Sequence, residues 1–281
     1  MRVILKLSAF LLTSFFFLFI ASAVLVAAII LGKRGTRLLP QCTMVWAKIM
    51  VYIVGIRIKK PYSERSALSK NFLIVSNHQS YLDIIVIASM VPTLFVAKKE
   101  VRQWWLLGWL ASLGGTIYID RKTFRGGIQA AAAITSSLNS GVNVLVFPEG
   151  TSTNGTSILP FKPSLLTSAI DSQTAVLPIT ISYRNVNGRT LDKMSRDIVC
   201  WYGSMEFVPH FLSVLKQQSI DAAIAVHPAL KTGQYRSAKE MADACHRSVQ
   251  TGMAVLSGNI STDNEEVSQH ILDHLGIQQP E

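Results

Sequence analysis

The sequence predicts an α/β protein with a mostly parallel, twisted sheet flanked by helices and an N-terminal membrane-anchoring helical segment. Three observations lead to this prediction. Beyond about residue 61, short apolar runs rich in β-branched residues alternate with helical stretches. Residues 7–32 contain no charged side chain. Only 16% of the chain is charged and 49% is hydrophobic, against about 25% charged in a typical soluble domain, so part of the surface is expected to meet lipid.

The uncharged N-terminal segment is long enough to cross a bilayer. As a helix it would span about 39 Å, against about 30 Å of hydrocarbon. A secretory signal is the alternative, with Arg2 and Lys6 as its basic start and small residues at 21–23 as its cleavage site. The apolar run continues past that site, which favours an anchor. The basic residues at 33–37 favour a cytoplasmic position for the chain beyond them.

A second apolar stretch, at 44–58, is too short to span a membrane easily. Its basic residues predict an interfacial helix among lipid headgroups, while an amphipathic helix packed on the globular part is the alternative. The sequence thus divides into a membrane anchor with an interfacial helix at 1–60, a globular domain at 61–258 and a polar tail at 259–281, in which no chemistry is expected.

The globular domain shows repeated strand and helix patterns without an internal repeat. Because a mostly parallel sheet places its functional site at the carboxyl ends of the strands, the residues that come directly after the strands matter most. The predicted strands are 72–76, 94–97, 116–119, 143–147, 175–183, 198–202 and 222–226. The predicted helices are 81–90, 100–112, 125–139, 163–171 and 235–256.

The formal net charge is +10, and most of the basic excess lies in the first half of the chain, which also holds the apolar segments. Basic residues beside an apolar anchor suit an anionic lipid leaflet. A nucleic-acid partner is not expected, because the sequence has no zinc-finger spacing, RNP motif or basic helix. Three scattered cysteines argue against a disulfide framework.

A histidine and an aspartate lie close together after the first predicted strand of the domain. His78 and Asp83 are five residues apart, which on one helix would separate them by about 140°. If Ser80 is the N-cap of the next helix, Asp83 is its N3 residue and its side chain points back toward the entering chain. Asp83 would then orient the ring of His78 and leave one nitrogen free as a base. The alternative is a capped helix with His78 in an ordinary loop.

Two cations come after later strands. Arg121 lies directly beyond the strand at 116–119, where its planar guanidinium suits a phosphate group. A surface ion pair with Asp120 is the alternative. Lys162 comes after an aromatic residue further along and is a candidate for a second positive contact.

The sequence Phe-Pro-Glu-Gly-Thr continues from a strand of buried character at 143–147. Gly150 permits a tight turn, and turned backbone amides can hold an anion. Glu149 would be costly to bury without a partner, so we expect it to bond to a cation, a hydroxyl or backbone amides. A plain turn is the alternative.

Taken together, these blocks resemble the glycerophospholipid acyltransferase family, whose best-known bacterial members make phosphatidic acid. The match covers roughly residues 70–185, with the blocks in family order. They are Asn77-His78 with Asp83, Gly115 with Arg121, the intact Phe-Pro-Glu-Gly-Thr at 147–151, and a proline-containing strand around Pro178. The segment 201–205, with Pro209 and His210, also resembles a subgroup that includes lyso-ornithine lipid acyltransferases.

The resemblance implies an O-acyltransferase at a membrane. His78 would take the proton from the free hydroxyl of a lysolipid, with Asp83 orienting its ring, and the hydroxyl would attack the thioester of acyl-CoA or acyl-ACP. The residues Asn77, Arg121, Glu149, Gly150, Thr151 and Lys162 would bind the substrate. The acceptor expected first is 1-acyl-sn-glycerol 3-phosphate, which gives phosphatidic acid, and lyso-ornithine lipid is the alternative. No metal, covalent acyl-enzyme or bound cofactor is expected.

Other classes of protein explain less of the sequence. A serine hydrolase would need a nucleophile elbow, and no Gly-x-Ser-x-Gly occurs. His270 and His274 have a spacing that zinc sites use, but a third ligand is not evident nearby. A non-catalytic membrane scaffold would account for the apolar segments and the charge but not for His78 with Asp83.

Overall fold

The computed structural model of the protein describes residues 1–31, 37–62 and 71–257. In this part the helices are α1 (Arg2–Leu31), α2 (Leu38–Val54), α3 (Leu82–Met90), α4 (Trp105–Leu113), α5 (Phe124–Asn139), α6 (Thr167–Asp171), α7 (Phe207–Lys216) and α8 (Ala238–Ser257). The strands are β1 (Ile56–Tyr62), β2 (Leu73–Ser76), β3 (Thr93–Lys98), β4 (Ile117–Ile119), β5 (Asn143–Val146), β6 (Val176–Val186), β7 (Arg189–Thr190) and β8 (Ile220–Val226). Short 3₁₀ helices lie at Lys99–Gln103, Pro163–Leu165, Ser195–Ile198 and Thr232–Gln234.

The strands form one sheet in the order β1-β8-β6-β2-β5-β3-β4, with β7 paired to β6. The central part, from β6 through β2, β5 and β3 to β4, is parallel. The antiparallel pairing of β6 with β8 reverses the direction, and β1 then runs parallel to β8. The predicted α/β fold with a mostly parallel sheet is therefore confirmed.

Helices cover both faces of the sheet because the central strands bury side chains on both sides. Along β2, Leu73 and Val75 belong to the cluster under α5 and α8, and Ile74 between them belongs to the cluster that includes residues of α2, α3 and α7. Alternate residues of a strand point to opposite faces. This two-sided burial explains why the sequence here is a continuous apolar run rather than an alternating one.

Helix α1 is long and apolar enough to cross a membrane over Arg2–Ala27, judged by length and composition. One of its faces packs on the domain: Phe10 contacts Phe211 of α7, and Phe17 contacts Trp46 of α2. Near its start, Lys6 donates hydrogen bonds to the carbonyl oxygens of Val54 (2.7 Å) and Gln217 (2.8 Å).

These two carbonyls lie where α2 and α7 end. A cation suits the carbonyl end of a helix, so Lys6 ties three helices together. The opposite face of α1 is exposed and apolar and includes Leu5, Leu12, Phe15, Phe16 and Phe19.

The N-terminal part differs from the prediction at one boundary. The stretch at 44–58 is helical only to Val54, and strand β1 begins at Ile56. Gly55 ends the helix in the left-handed conformation (φ 86°), in which a β-carbon would lie 2.6 Å from the carbonyl oxygen of Gln218. Only glycine fits such a turn. Helix α2 packs on α1 and α3 and exposes Val45, Ile49 and Tyr52.

The strand predicted at 198–202 is wrong. Its first residue belongs to a 3₁₀ helix, and the amide of Cys200 bonds back to the carbonyl of Arg196 (2.8 Å). The amide of Trp201 bonds to the carbonyl of Gln79 (2.8 Å), in the loop before α3. This segment therefore packs along the site rather than in the sheet. The tail from residue 259, with His270 and His274, lies outside the described residues.

Candidate active site at the carboxyl ends of the central strands

The predicted site residues come shortly after strands of the parallel part of the sheet. His78 lies beyond β2, Glu149 and Gly150 lie beyond β5, and Arg121 lies beyond β4. The parallel pairing of β2 with β5 aligns Val75 with Val146, so the loops after both strands leave the sheet at the same edge. The fold thus brings together His78 and Glu149, which are 71 positions apart in the chain.

Asp83 reaches His78 as the spacing argument predicts. The Nδ1 atom of His78 lies 2.8 Å from Oδ2 of Asp83, and the Asp83 side chain is fully buried. A carboxylate beside Nδ1 favours the tautomer that carries the proton there. The Nε2 atom then keeps its lone pair and is available as a base.

The imidazole ring is also held from its face. The rings of His78 and Phe147 stack with centroids 4.0 Å apart and planes 14° apart, and the His78 side chain is 19% exposed. A carboxylate therefore holds one edge of the ring and an aromatic ring holds one face. Together they restrict the rotation of the imidazole and so fix the position of Nε2.

Tyr183 is a further member of this arrangement, and sequence analysis missed it. Its hydroxyl donates to Oδ1 of Asp83 (2.7 Å) from strand β6, and its side chain is 1% exposed. Burial and the neighbouring Asp83 carboxylate both raise the pKa of Tyr183, so the phenol keeps its proton and donates. The contact joins residues 100 positions apart, so its sequence signal is only a tyrosine in a buried strand.

Ser80 does not cap the helix as predicted. Helix α3 begins at Leu82, Tyr81 is its N-cap residue, and the hydroxyl of Ser80 is buried without a hydrogen-bond partner. The carboxylate of Asp83 instead holds the chain that enters the helix, because Oδ2 accepts from the amides of Gln79 (2.6 Å) and Ser80 (2.9 Å). Hydrogen bonds to a charged acceptor are stronger than those between neutral groups.

Asn77 supports the loop from inside the protein. Its side-chain nitrogen donates to the carbonyl of Ile181 and its side-chain oxygen accepts from the amide of the same residue, both at 2.9 Å. Asn77 is 1% exposed, and through these two hydrogen bonds it holds the end of β2 to β6. The structure thus shows a positioning contact at the residue for which substrate binding was expected.

Glu149 also holds the main chain of the site. Its two carboxylate oxygens accept from the amide of His78 (2.7 Å) and the amide of Leu159 (2.8 Å), and it is 3% exposed. Burial raises the pKa of Glu149 to about 7, although both of these hydrogen bonds oppose the rise. The expected pairing with backbone amides is found, and through it Glu149 fixes the position of His78.

Cations converge on the turn after Glu149. Gly150 has φ of 78°, and a β-carbon there would lie 2.8 Å from Nζ of Lys162. Arg121 donates from Nη1 to the carbonyl oxygen of Gly150. Thr151 comes next, on the exposed side. The structure therefore brings Arg121, Gly150, Thr151 and Lys162 together, as four of the expected substrate-binding residues.

A cavity of about 320 Å³ opens beside His78. Its polar part includes Lys98, Arg121 and Thr151, and the rest of its wall is mainly apolar. Asn77 and Glu149 are not among the described residues that line it. The apolar wall is formed chiefly by Phe10 and Phe17 of α1, Met50 and Val54 of α2, Ile85 of α3, and Leu107 and Leu110 of α4.

The shape and lining of this cavity suit a hydrocarbon chain that ends at a polar reaction centre. Apolar cavities of several hundred cubic ångströms with a few polar groups are typical of small-molecule sites.

Within residues 1–31, 37–62 and 71–257, no group of three or more His, Cys, Asp or Glu residues is arranged to hold a metal ion.

The α/β sheet, the histidine oriented by Asp83 and the apolar cavity beside it together suit an enzyme that acts on a lipid-like substrate. The comparisons with known proteins agree. A family model described as Acyltransferase matches residues 55–182. A lyso-ornithine lipid O-acyltransferase from Rhodobacter capsulatus is 33% identical over 220 residues, which covers 76% of each chain.

Two further similarities concern acylglycerol phosphate acyltransferases. The 1-acyl-sn-glycerol-3-phosphate acyltransferase of Neisseria gonorrhoeae is 33% identical over 136 residues, 48% of this chain and 52% of that protein. The crystal structure of the 1-acyl-sn-glycerophosphate acyltransferase PlsC from Thermotoga maritima superimposes with a TM-score of 0.62, covering 93% of this chain and all of that one, at 20% identity. The latter shows a shared fold.

The chain belongs to the acyltransferase family that includes the lysolipid O-acyltransferases. It is an O-acyltransferase of the lysophospholipid type, and its apolar N-terminal helix is a candidate membrane anchor.

Proposed function

We propose that the protein transfers a fatty acyl group from a thioester to the free hydroxyl of a lysolipid, with His78 as the general base. The observation that carries the proposal is the contact of Nδ1 of His78 with Asp83, which leaves Nε2 free at a cavity suited to lipid chains. A positioned histidine base contributes about 10²–10⁴-fold in rate.

The reaction needs one proton to move twice. Nε2 of His78 takes the proton of the acceptor hydroxyl while that oxygen attacks the thioester carbonyl. Asp83 stabilises the imidazolium that forms. When the carbon–sulfur bond breaks, the imidazolium returns the proton to the leaving thiolate, and an ester and a free thiol result. The donor on this proposal is acyl-CoA or acyl-ACP, and the protein needs no resident cofactor.

Lyso-ornithine lipid is the first candidate acceptor. The protein from Rhodobacter capsulatus named for this substrate aligns over 220 residues, against 136 residues for the Neisseria gonorrhoeae protein named for acylglycerol phosphate. Lysophosphatidic acid, the acceptor expected first from the sequence, remains the second candidate. It is supported by the cations Lys98 and Arg121 in the cavity wall, which suit a phosphate monoester.

We further propose that the helical N-terminus places the cavity at the membrane surface on the cytoplasmic side. The exposed faces of α1, α2 and α4 carry large apolar side chains, among them Phe15, Phe19, Tyr52, Trp105 and Trp109. Tryptophan and tyrosine favour the membrane–water interface. The basic residues that come after α1 in the sequence support the cytoplasmic side.

The test is a His78→Ala variant of the full-length protein, assayed in mixed micelles with lyso-ornithine lipid and lysophosphatidic acid in parallel. We expect acyl transfer to fall by about 10²–10⁴-fold in a protein that is still folded, with a thermal transition lowered by the loss of the bond to Asp83. His246→Ala is the matched control, because His246 lies on α8, bonds to the carbonyl of Ile158, packs on the ring of Phe161 and is not among the described residues that line the cavity. Retained transfer in His78→Ala would remove the mechanism, and no transfer to either acceptor by the unaltered protein would support a scaffold instead.

A further inference from the structure

The cavity has an aromatic part that the chemistry at His78 does not require. Tyr81, Trp104, Trp201 and Phe207 all line it, and we call these four residues the aromatic wall. They come from three different segments: the loop before α3, the turn before α4, and the stretch from 201 into α7. Because separate segments bring four large rings together, we consider this part of the cavity as a binding surface for a substrate group.

Most ring pairs of the aromatic wall are steeply inclined. Trp104 and Trp201 have centroids 5.6 Å apart and planes at 86°, and Tyr81 lies 6.0 Å from Trp201 with planes at 65°. Phe207 packs 4.9 Å from Tyr81 at 66° and lies 6.0 Å from Trp104 with planes at 39°. The four rings thus form one packed aromatic group in the cavity wall. The π faces of aromatic rings attract ammonium groups, with tryptophan the most effective.

The hydroxyl of Tyr81 is fixed by a histidine that is not part of the catalytic pair. Nε2 of His210 lies 3.1 Å from the carbonyl oxygen of Cys200, and Nδ1 lies 2.9 Å from the hydroxyl oxygen of Tyr81. A carbonyl only accepts, so Nε2 carries the proton of the neutral ring. Burial lowers the pKa of His210, which keeps the ring neutral. Tyr81 therefore donates to Nδ1, and its oxygen can only accept from any further partner.

The charges along the cavity wall are of one sign. Lys98, at the end of β3, and Arg121, after β4, are positive. Among the described residues that line the cavity there is no aspartate or glutamate. An acceptor with a single phosphate would use the cations and leave the aromatic wall without a polar partner. A head group with both a carboxylate and an ammonium would use both parts.

From this arrangement we infer that the aromatic wall binds the ammonium group of a zwitterionic lysolipid acceptor, while Arg121 and Lys98 hold its carboxylate. An ornithine head group has this chemistry. The inference rests on the proposed function, because it concerns the acceptor of the same reaction. It assigns the choice between acceptors to Tyr81, Trp104 and Trp201, with Phe207 supporting their rings.

The test compares lyso-ornithine lipid with the same lipid acetylated on its side-chain amine. Acetylation removes the positive charge and keeps the carboxylate, the chain and the reacting hydroxyl. The unaltered protein is expected to use the charged acceptor with a kcat/KM higher by about 3- to 30-fold, mainly through KM. In Trp201→Leu this ratio should fall to about one, whereas Trp201→Phe should keep part of it.

Trp109→Leu is the matched control. Trp109 is exposed on α4 and does not line the cavity, so its removal should leave the ratio unchanged. The backbone amide of Trp201 makes the bond to Gln79, so substitution of its side chain keeps that contact. Activity of Trp201→Leu on the acetylated acceptor shows directly that the variant is folded.

Several outcomes overturn the inference. A ratio of one or less in the unaltered protein means that the charge is not recognised. Equal losses on both acceptors in Trp201→Leu mean that the wall only packs against hydrocarbon. Acylation of lysophosphatidic acid alone refutes the inference and leaves the proposed acyl transfer intact, while transfer to none of the acceptors refutes the proposed function itself.

Discussion

Replacing Tyr183 by phenylalanine tests whether the buried tyrosine supports the contact of Asp83 with His78. The substitution removes one oxygen and leaves Oδ1 of Asp83 without its donor, while Oδ2 keeps its contacts with His78 Nδ1 and two amides. A hydrogen bond to a charged group contributes about 1.5–3 kcal/mol, and we expect the free energy of unfolding to fall by about that amount.

The same loss changes the chemistry in a defined direction. Without the hydroxyl of Tyr183, the carboxylate of Asp83 loses one of the contacts that hold it beside Nδ1 of His78. The rate of acyl transfer should therefore fall, but by less than about 100-fold, because His78 and its carboxylate partner both remain.

The assay is the measurement of kcat and kcat/KM for Tyr183→Phe, beside its thermal transition. Tyr118→Phe is the matched control, because the hydroxyl of Tyr118 bonds to Ser112 (2.9 Å), in a contact that does not include Asp83. A lowered stability with unchanged kcat and kcat/KM would refute the link to His78. A loss as large as that of His78→Ala would show that Tyr183 takes part in the chemistry itself.

Two further substitutions test buried groups of the domain. In Glu149→Gln, the side-chain amide has one accepting oxygen in place of two, so the backbone amide of His78 or of Leu159 loses its partner. We expect the free energy of unfolding to fall by about 1–3 kcal/mol and acyl transfer to slow. An unchanged rate and melting temperature would contradict this. Burial lowers the pKa of His227 to about 4. The unfolded chain therefore protonates His227 at a higher pH than the folded protein does. As the pH falls from about 6.5 toward 4, the free energy of unfolding decreases, by about 2 kcal/mol between pH 7 and 5. His227→Gln should melt with a smaller dependence on pH over that range, and an identical dependence would exclude His227 as its source.

The central sheet was predictable because strands buried on both faces are continuous apolar runs, as in β2 and β5. Strand β1 was not, because it continues the apolar pattern of α2 and carries Lys59 and Lys60. Helix α7 was hidden by Pro209, which occupies its first turn, where a proline is tolerated.

In the site, contacts between residues close in sequence could be predicted, and contacts between residues far apart in sequence could not. The contact of Asp83 with His78 derives from a five-residue spacing, so the sequence predicts it. The bonds from Tyr183 to Asp83 and from Asn77 to Ile181 join residues about 100 positions apart. They depend on the register of β6 against β2, which a single sequence does not reveal. The cap predicted at Ser80 fails because the helix begins later, at Leu82, with Tyr81 as its N-cap residue.

The docking of α1 has a consequence for product release. Phe10 and Phe17 line the cavity on one side of this helix, and Phe15 and Phe19 are exposed on the other. On the proposed function, with that outer side in lipid, a newly esterified chain in the cavity would be separated from the hydrocarbon interior of the bilayer by a single helix about 10 Å thick. The chain would then leave sideways without crossing water, which avoids a cost of about 0.8 kcal/mol for each methylene group exposed. The hydrogen bonds of Lys6 would in that case limit the rate of release, since loosening of α1 would open a path for departure.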